Sequence, residues 1–429
     1  MRLAIIGAGW AGMAAAVEAI AADHSVTVFE ASRTLGGRAR ALPAILPEGH
    51  ATLLDNGQHI LIGAYAEALR LMRLVGIDTD TALLRMPLRM EFADGSGLRL
   101  PDWPAPWDAL AGIATAQGWT LADRWSLVRQ SLLWRAARFT CAADASVADL
   151  CQGLTPRVRT ELIDPLCVSA LNIPPAQAGG RVFLRVLQDS LFGARGASHM
   201  LLPRTDLGAL FPQAAARWIT ARGGQIRTGT RVQMQAVGQG CWEVDGATFD
   251  RVVIGTPATD AARLVEAALP TLPAEARPAA AAWQATALGL QHTAITTVYA
   301  WARGATLRGP ILALRSRADP AHPGPAQFVV DRGQLGGPAG LLAFVISASE
   351  SDRETAEHQT LEQARRELGL TLQPVRTLVE KRATFACTPD VLRPALQIAP
   401  GLRACGDYVA GPYPATLEAA VRSGVAAIR

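Results

Sequence analysis

The sequence predicts an α/β chain in which a parallel sheet wound with helices is interrupted by an inserted α+β domain. Three observations carry that reading. Residues 1–30 follow one another as strand, glycine turn, helix and strand. Residues 87–196 change to helical apolar spacing with clustered tryptophans, and residues 270–395 alternate apolar strands with one charged helix. The 429 residues also exceed what a single hydrophobic core ordinarily serves, so two domains are expected.

Arg2–Ile6 is an apolar run without polar alternation, which suits a strand covered on both faces. It enters Gly7-Ala8-Gly9-Trp10-Ala11-Gly12, a G-x-G-x-x-G turn. In such a turn the first glycine permits the bend, the second admits a pyrophosphate to the backbone, and the third lets the helix lie close on the sheet. Alanines and other small residues through Ala22 make a closely packing helix whose free N–H groups face phosphate. Ser25–Glu30 is the second parallel strand, and Glu30 at its carboxyl end is placed to accept both ribose hydroxyls while repelling a 2'-phosphate. The order and spacing of these parts favour dinucleotide binding over an ordinary glycine-rich loop.

The residues after Glu30 narrow the dinucleotide. Glu30-Ala31-Ser32-Arg33-Thr34-Leu35-Gly36-Gly37-Arg38 resembles the E-x-x-x-x-x-G-G-R continuation of the FAD-binding amine oxidase and phytoene desaturase superfamily. Gly36 and Gly37 let a loop pass close to the cofactor, and Arg38 offers a planar fork to phosphate oxygens. The resemblance implies an amine oxidase-like fold. Its Rossmann-like FAD-binding domain is discontinuous (residues 1–80, 197–268 and 396–429), and its α+β substrate-binding domain takes residues 81–196 and 269–395. It also implies that Ala31 lies beside the ribose acid, that the Val232 backbone edges the adenine, and that Gly57, Gln58 and His59 cross the flavin face. At the far end it implies that Gly406 and Asp407 hold ribityl or phosphate oxygens. Pro414, Ala415 and Thr416 would then start a last helix aimed at the flavin pyrimidine, where its dipole favours the charge of reduced flavin.

Four stretches are more specific: Asp55–His59 (DNGQH), Asp164–Pro175 (DPLCVSALNIPP), Leu201–Leu207 (LLPRTDL) and the Gly406–Gly424 end. They resemble the squalene-associated FAD-dependent enzymes of hopanoid biosynthesis, whose members take hydroxysqualene to squalene with reduced FAD. That chemistry needs an acid to protonate the departing hydroxyl and a water-poor pocket around an allylic cation. His59 is the first candidate acid, with Tyr408, Tyr413 and Asp164 behind it. Amine oxidases of the superfamily carry a lysine near the flavin on a strand matching His292–Tyr299, which has none here; the single lysine, Lys381, lies in Leu378–Arg382. This counts against amine oxidation. A desaturase of a carotenoid precursor such as phytoene, and a non-catalytic prenyl-lipid-binding protein of the same architecture, remain the alternatives.

Composition excludes other classes. Half the residues are apolar and 18% charged, which fits a substantial core. The formal charge of +4 is carried almost wholly by arginine, without a basic run interleaved with aromatics, so nucleic acid is excluded as a partner. Six cysteines show no metal-ligand spacing and read as reduced small hydrophobes in a cytosolic protein, with no metal site. No stretch is long and apolar enough to span a bilayer, so a cytoplasmic protein is expected which, if it meets lipid, does so from the surface at the inner face of the cell membrane. The implied partners are a long apolar isoprenoid substrate and a reductant that recharges FAD. For the insert, Trp103, Trp107, Trp119, Trp125 and Trp134 are expected to wall in a large apolar ligand. Gly193–Gly196 is expected to cross back to the cofactor domain. Pro270–Ala282 is read as a loose connector, and the strands beyond it as a mixed sheet flooring the substrate site.

Overall fold

In the computed structural model, which describes residues 1–238, 240–316 and 322–429, the opening run Arg2–Ile6 becomes an interior strand. The central sheet has six strands in the order Gln225–Thr228, Ser25–Glu30, Arg2–Ile6, Arg251–Ile254, Leu402–Ala404 and Gln397–Ala399. The first five are parallel, and Gln397–Ala399 turns back antiparallel at the edge. Leu3, Ala4, Ile5, Val252, Val253 and Ile254 are all fully buried, the physical reason that these strands show no polar alternation. The protein is thus an α/β fold whose one sheet is assembled from the beginning, middle and end of the chain.

Small residues let the two ends of the chain approach each other. The helix Trp10–Ala21 packs against the final helix Leu417–Ala426. A β-carbon at Gly424 would stand 2.2 Å from the carbonyl oxygen of Ala11 and 3.0 Å from the nitrogen of Ala15. The same final helix carries Glu418, whose buried carboxylate accepts from the Glu67 and Ala68 N–H groups at the start of helix Ala66–Leu74. That helix N-terminus has no side-chain cap of its own, so Glu418 satisfies amides that would otherwise be orphaned.

The second sheet runs Ile311–Ala313, Phe328–Asp331, Leu341–Ile346, His292–Trp301 and Gln373–Phe385. It is antiparallel throughout, where a mixed sheet was expected. Its second and third strands follow one another through the short connection 332–340, which antiparallel pairing permits and parallel pairing does not. The Pro270–Ala282 segment is also more ordered than a connector: its second half opens the helix Arg277–Leu288. Alanine there has high helix propensity, and Pro278 sits in the first turn where its missing N–H costs nothing.

Asn172 ties the helical insert to this sheet. It closes the helix Asp164–Leu171 in the left-handed conformation, at φ 56°. Its amide nitrogen donates to Thr293 Oγ1 at 2.9 Å and Thr384 Oγ1 at 3.0 Å, and its oxygen accepts from the Ala348 N–H at 2.6 Å. The tryptophans behave otherwise than expected: Trp119 and Trp134 are buried, but Trp103, Trp107 and Trp125 face outward. Helices in this insert are apolar on more than one side, and spacing alone does not say which side meets the core.

Replacing Gly424 by valine should lower stability by about 1–3 kcal/mol through overpacking against Ala11. Thermal denaturation compared with Gly309→Ala, where an added β-carbon meets nothing closer than 3.9 Å, checks this. Equal melting temperatures for the two variants would show that the two helices part freely.

Candidate functional site

Backbone crowding builds the first part of the site. At Gly7, φ is 106° and a β-carbon would come within 2.7 Å of the Gly255 carbonyl; at Gly12 it would come within 1.9 Å of the Gly7 carbonyl. Only glycine meets both conditions. Gly9 is the N-cap of helix Trp10–Ala21 and gives it no side-chain cap, so the first-turn amides beginning at Trp10 and Ala11 point outward unobstructed by a side chain. The Trp10 ring turns the other way, into the core against Phe211 at 5.2 Å. Gly36 and Gly37 lie over this turn: the Gly36 N–H donates to the Ala8 carbonyl, and a β-carbon at Gly37 would be 3.2 Å from Gly9 Cα.

Glu30 stands where the acid at the strand end was expected. Its carboxylate accepts from the Ala8 N–H at 2.7 Å and the Ser32 N–H at 2.8 Å, fixing both oxygens beside the turn with lone pairs to spare. Ala31 is exposed next to it, and the Thr230 N–H donates to the Glu30 carbonyl, bringing the segment that contains Val232 alongside.

The two ends of the chain meet in an ion pair. Arg38 Nη2 donates to Asp407 Oδ1 at 2.6 Å, while Nη1 donates to the Ala383 carbonyl at 2.6 Å. Asp407 is buried and Arg38 about one-third exposed, so one face of the guanidinium stays open. The charge of Asp407 raises the Arg38 pKa. Gly406 is held by its N–H donating to Ser423 Oγ of the final helix. Thr416 caps that helix by accepting from the Ala419 N–H, with Pro414 buried and Ala415 part-buried just before it.

The Asp55–His59 segment bridges this cradle and the second sheet. His59 Nδ1 lies 2.9 Å from the Gly57 carbonyl. A carbonyl only accepts, so Nδ1 carries a proton and Nε2 is the free ring atom. Burial, together with repulsion from Arg38, holds the imidazole below its usual pKa. Gly57 is flanked by the His59 ring and by Thr297, whose buried hydroxyl has no hydrogen-bond partner among the described residues.

Asp55 is buried, accepts from the Leu207 N–H at 2.8 Å, and lies 4.0 Å from Arg332. The Tyr299 hydroxyl donates to its carbonyl at 3.0 Å. Burial pushes the Asp55 carboxyl up to about 6.

The remaining candidates are dispersed. Tyr408 is buried beside Gly406 with its hydroxyl unpartnered among the described residues. The Tyr413 hydroxyl is committed to Asp189 at 2.6 Å, and Arg185 and Arg422 both lie over its ring. Asp164 opens a helix directly after a turn of π-helix at Arg159–Ile163, with burial raising its pKa. It belongs to the insert, and no hydrogen bond or ion pair joins it to His59 among the described residues. Sequence reasoning passed over Thr297 and His292. The latter shares the strand of Thr297; burial and the charges of Arg38 and Arg382 lower its pKa, against the opposing charge of Asp407.

Glycines without room for a β-carbon, an acid at the strand end, and two buried hydroxyls without partners together fit an adenine dinucleotide carrying a flavin. The profile of the flavin containing amine oxidoreductases matches residues 10–427. The chain belongs to that family. Its cofactor is accordingly FAD, and the protein is an oxidoreductase. It is 24% identical to hydroxysqualene dehydroxylase of Sinorhizobium fredii over 98% of this chain and 95% of the relative. With hydroxysqualene dehydroxylase of Rhodopseudomonas palustris the identity is 26%, over 98% and 96%. Among solved structures, an oxidoreductase from Methanosarcina mazei superposes with a TM-score of 0.73 at 18% identity, covering 100% of this chain and 99% of that one.

Two measurements test this geometry. Glu30→Ala and Arg38→Ala should release flavin on gel filtration far more readily than His59→Ala; equal loss from all three would make His59 a part of the flavin cradle. Asp55 makes stability depend on pH. Its folded pKa of about 6 exceeds the unfolded value near ~3.9, so the folded state binds more protons between them. Stability therefore falls as pH rises from about 4 to about 6, by up to about 3 kcal/mol. Asp55→Asn, which still accepts from Leu207, should flatten that decline in denaturant titrations.

Proposed function

We propose that the protein reduces hydroxysqualene to squalene with loss of water. The observation that carries this reading is the similarity to hydroxysqualene dehydroxylases along nearly the whole of both chains. The strand His292–Trp301, with Thr297 and no lysine beside Gly57, supports it further.

The overall change breaks the allylic C–O bond, whose electron pair leaves with oxygen, and replaces it with C–H. One proton joins the oxygen to give water. Bound reduced FAD supplies the hydride.

This chain supplies position, dryness and the proton. Arg38, held by Asp407, and the amides at Trp10 and Ala11 would hold the phosphates. Glu30 would hold the ribose. His59, with Nδ1 anchored on Gly57, presents Nε2 as its only atom able to move a proton toward the leaving oxygen. Its lowered pKa makes the protonated ring a stronger acid and a scarcer one at neutrality. Beside the same glycine Thr297 offers a hydroxyl that has no partner among the described residues. Tyr299, Leu54 and Phe385 in the adjoining core keep water from the carbon that loses its hydroxyl.

Anaerobic incubation of pre-reduced enzyme with hydroxysqualene should yield squalene, identified by mass spectrometry, and the spectrum of oxidised flavin. Absence of squalene together with turnover of phytoene would replace this reading with desaturation. The rate should fall as pH rises through the lowered His59 range, and His59→Gln should remove that limb while retaining flavin.

A further inference from the structure

The outward tryptophans of the insert have no hydrogen-bond or ring partner for their side chains among the described residues. Trp107 and Trp125 are 64% and 65% exposed, and Leu121 is 80% exposed, on two helices that pack on each other, Trp107–Thr115 and Leu121–Ala136. Trp103, Leu110 and Leu132 are exposed in the same segment. On the second helix Leu121, Trp125 and Leu132 recur at i, i+4 and i+11, which puts them within about 40° of one another around the axis. Leu127 and Trp134 are buried on the opposite face. The helix therefore has two apolar sides, one packed on the core and one meeting solvent. Large apolar side chains aligned on the solvent side of a helix, with a further exposed tryptophan on the helix packed against it, mark a site of contact.

Its charge indicates what it contacts. Arg129, Arg135 and Arg138 are exposed beside the stripe and form no ion pair among the described residues. The one acid of the helix, Asp123, is turned inward as part of the capping box with Thr120. Apolar side chains including tryptophan, lying along the helix and flanked by unpaired arginine, match the level of a bilayer where acyl chains meet anionic headgroups. No helix among the described residues is long and apolar enough to cross a membrane, so contact would be along the surface.

We propose that helices Trp107–Thr115 and Leu121–Ala136 dock the protein on an anionic lipid surface, with Trp107, Trp125 and Leu132 entering the acyl boundary and Arg129, Arg135 and Arg138 holding headgroups. The buried face of the second helix, Leu127 and Trp134, belongs to the apolar cluster that also contains Leu54, Tyr299 and Phe385 beside the site. The docked face and the site thus share one continuous apolar interior.

Flotation with vesicles tests this on the flavin-loaded protein. The native protein should float with vesicles of phosphatidylcholine and phosphatidylglycerol, and less with phosphatidylcholine alone. Trp107→Ser, Trp125→Ser and Leu132→Ser combined should cut the floating fraction roughly tenfold at unchanged flavin content. Arg129→Glu with Arg135→Glu should abolish the preference for the anionic vesicles. Brominated lipid should quench tryptophan emission of the native protein, a readout that needs no variant. The proposal is overturned if the native protein stays unbound and unquenched, if the triple variant floats as before, or if sedimentation shows a native dimer that the triple variant separates into monomers. A protein that floats yet leaves hydroxysqualene untouched keeps this surface and loses only the proposed reaction.

Discussion

The close approach of the first helix to the last is the contact on which the rest of the molecule depends. At Gly424 the two backbones come together with no room for a side chain, and this brings the terminal segments of the chain into one wall. Dispersion between small, closely packed residues holds the helices where larger side chains would wedge them apart. Everything chemical about the cradle follows from that distance. Arg38 and Asp407, 369 positions apart, reach hydrogen-bond contact only because their elements are already in place, and Gly406 is fastened to the same final helix through Ser423.

Electrostatics then separates two kinds of buried acid. Asp407 meets a full guanidinium at 2.6 Å in a direct pair, whereas Asp55 has Arg332 only at 4.0 Å and one backbone N–H. For Asp55 desolvation wins, and its carboxyl is pushed up to about 6. The second case joins three segments: the Asp55–His59 run, the Met200–Leu207 turn and the second sheet through Tyr299 and Arg332.

The dinucleotide half was legible because its signals are local. A tight turn, a helix that must lie close to a strand, and an acid at a strand end all constrain residues within thirty positions of one another, and the glycines at 7 and 12 admit no other residue. The stretches containing Asn172 and Leu207 stood out in the sequence, but their tasks did not. Asn172 acts by tying together Thr293, Thr384 and Ala348, none of which is near it in the chain. His292 and Thr297 gave no signal, because ordinary strand residues become notable only through what a second strand or loop sets against them. Tyr413 looked available and is instead bound to Asp189.

By itself the sequence determined that the chain winds a parallel sheet around a dinucleotide, since hydrophobic continuity, turn glycines and strand-end acid are properties of short segments. The tertiary structure decided which tryptophans are core and which face outward, which histidine nitrogen is free, and which buried acid has a true counter-charge. Those outcomes depend on distances between segments far apart in the chain, and side-chain periodicity carries no information about such distances.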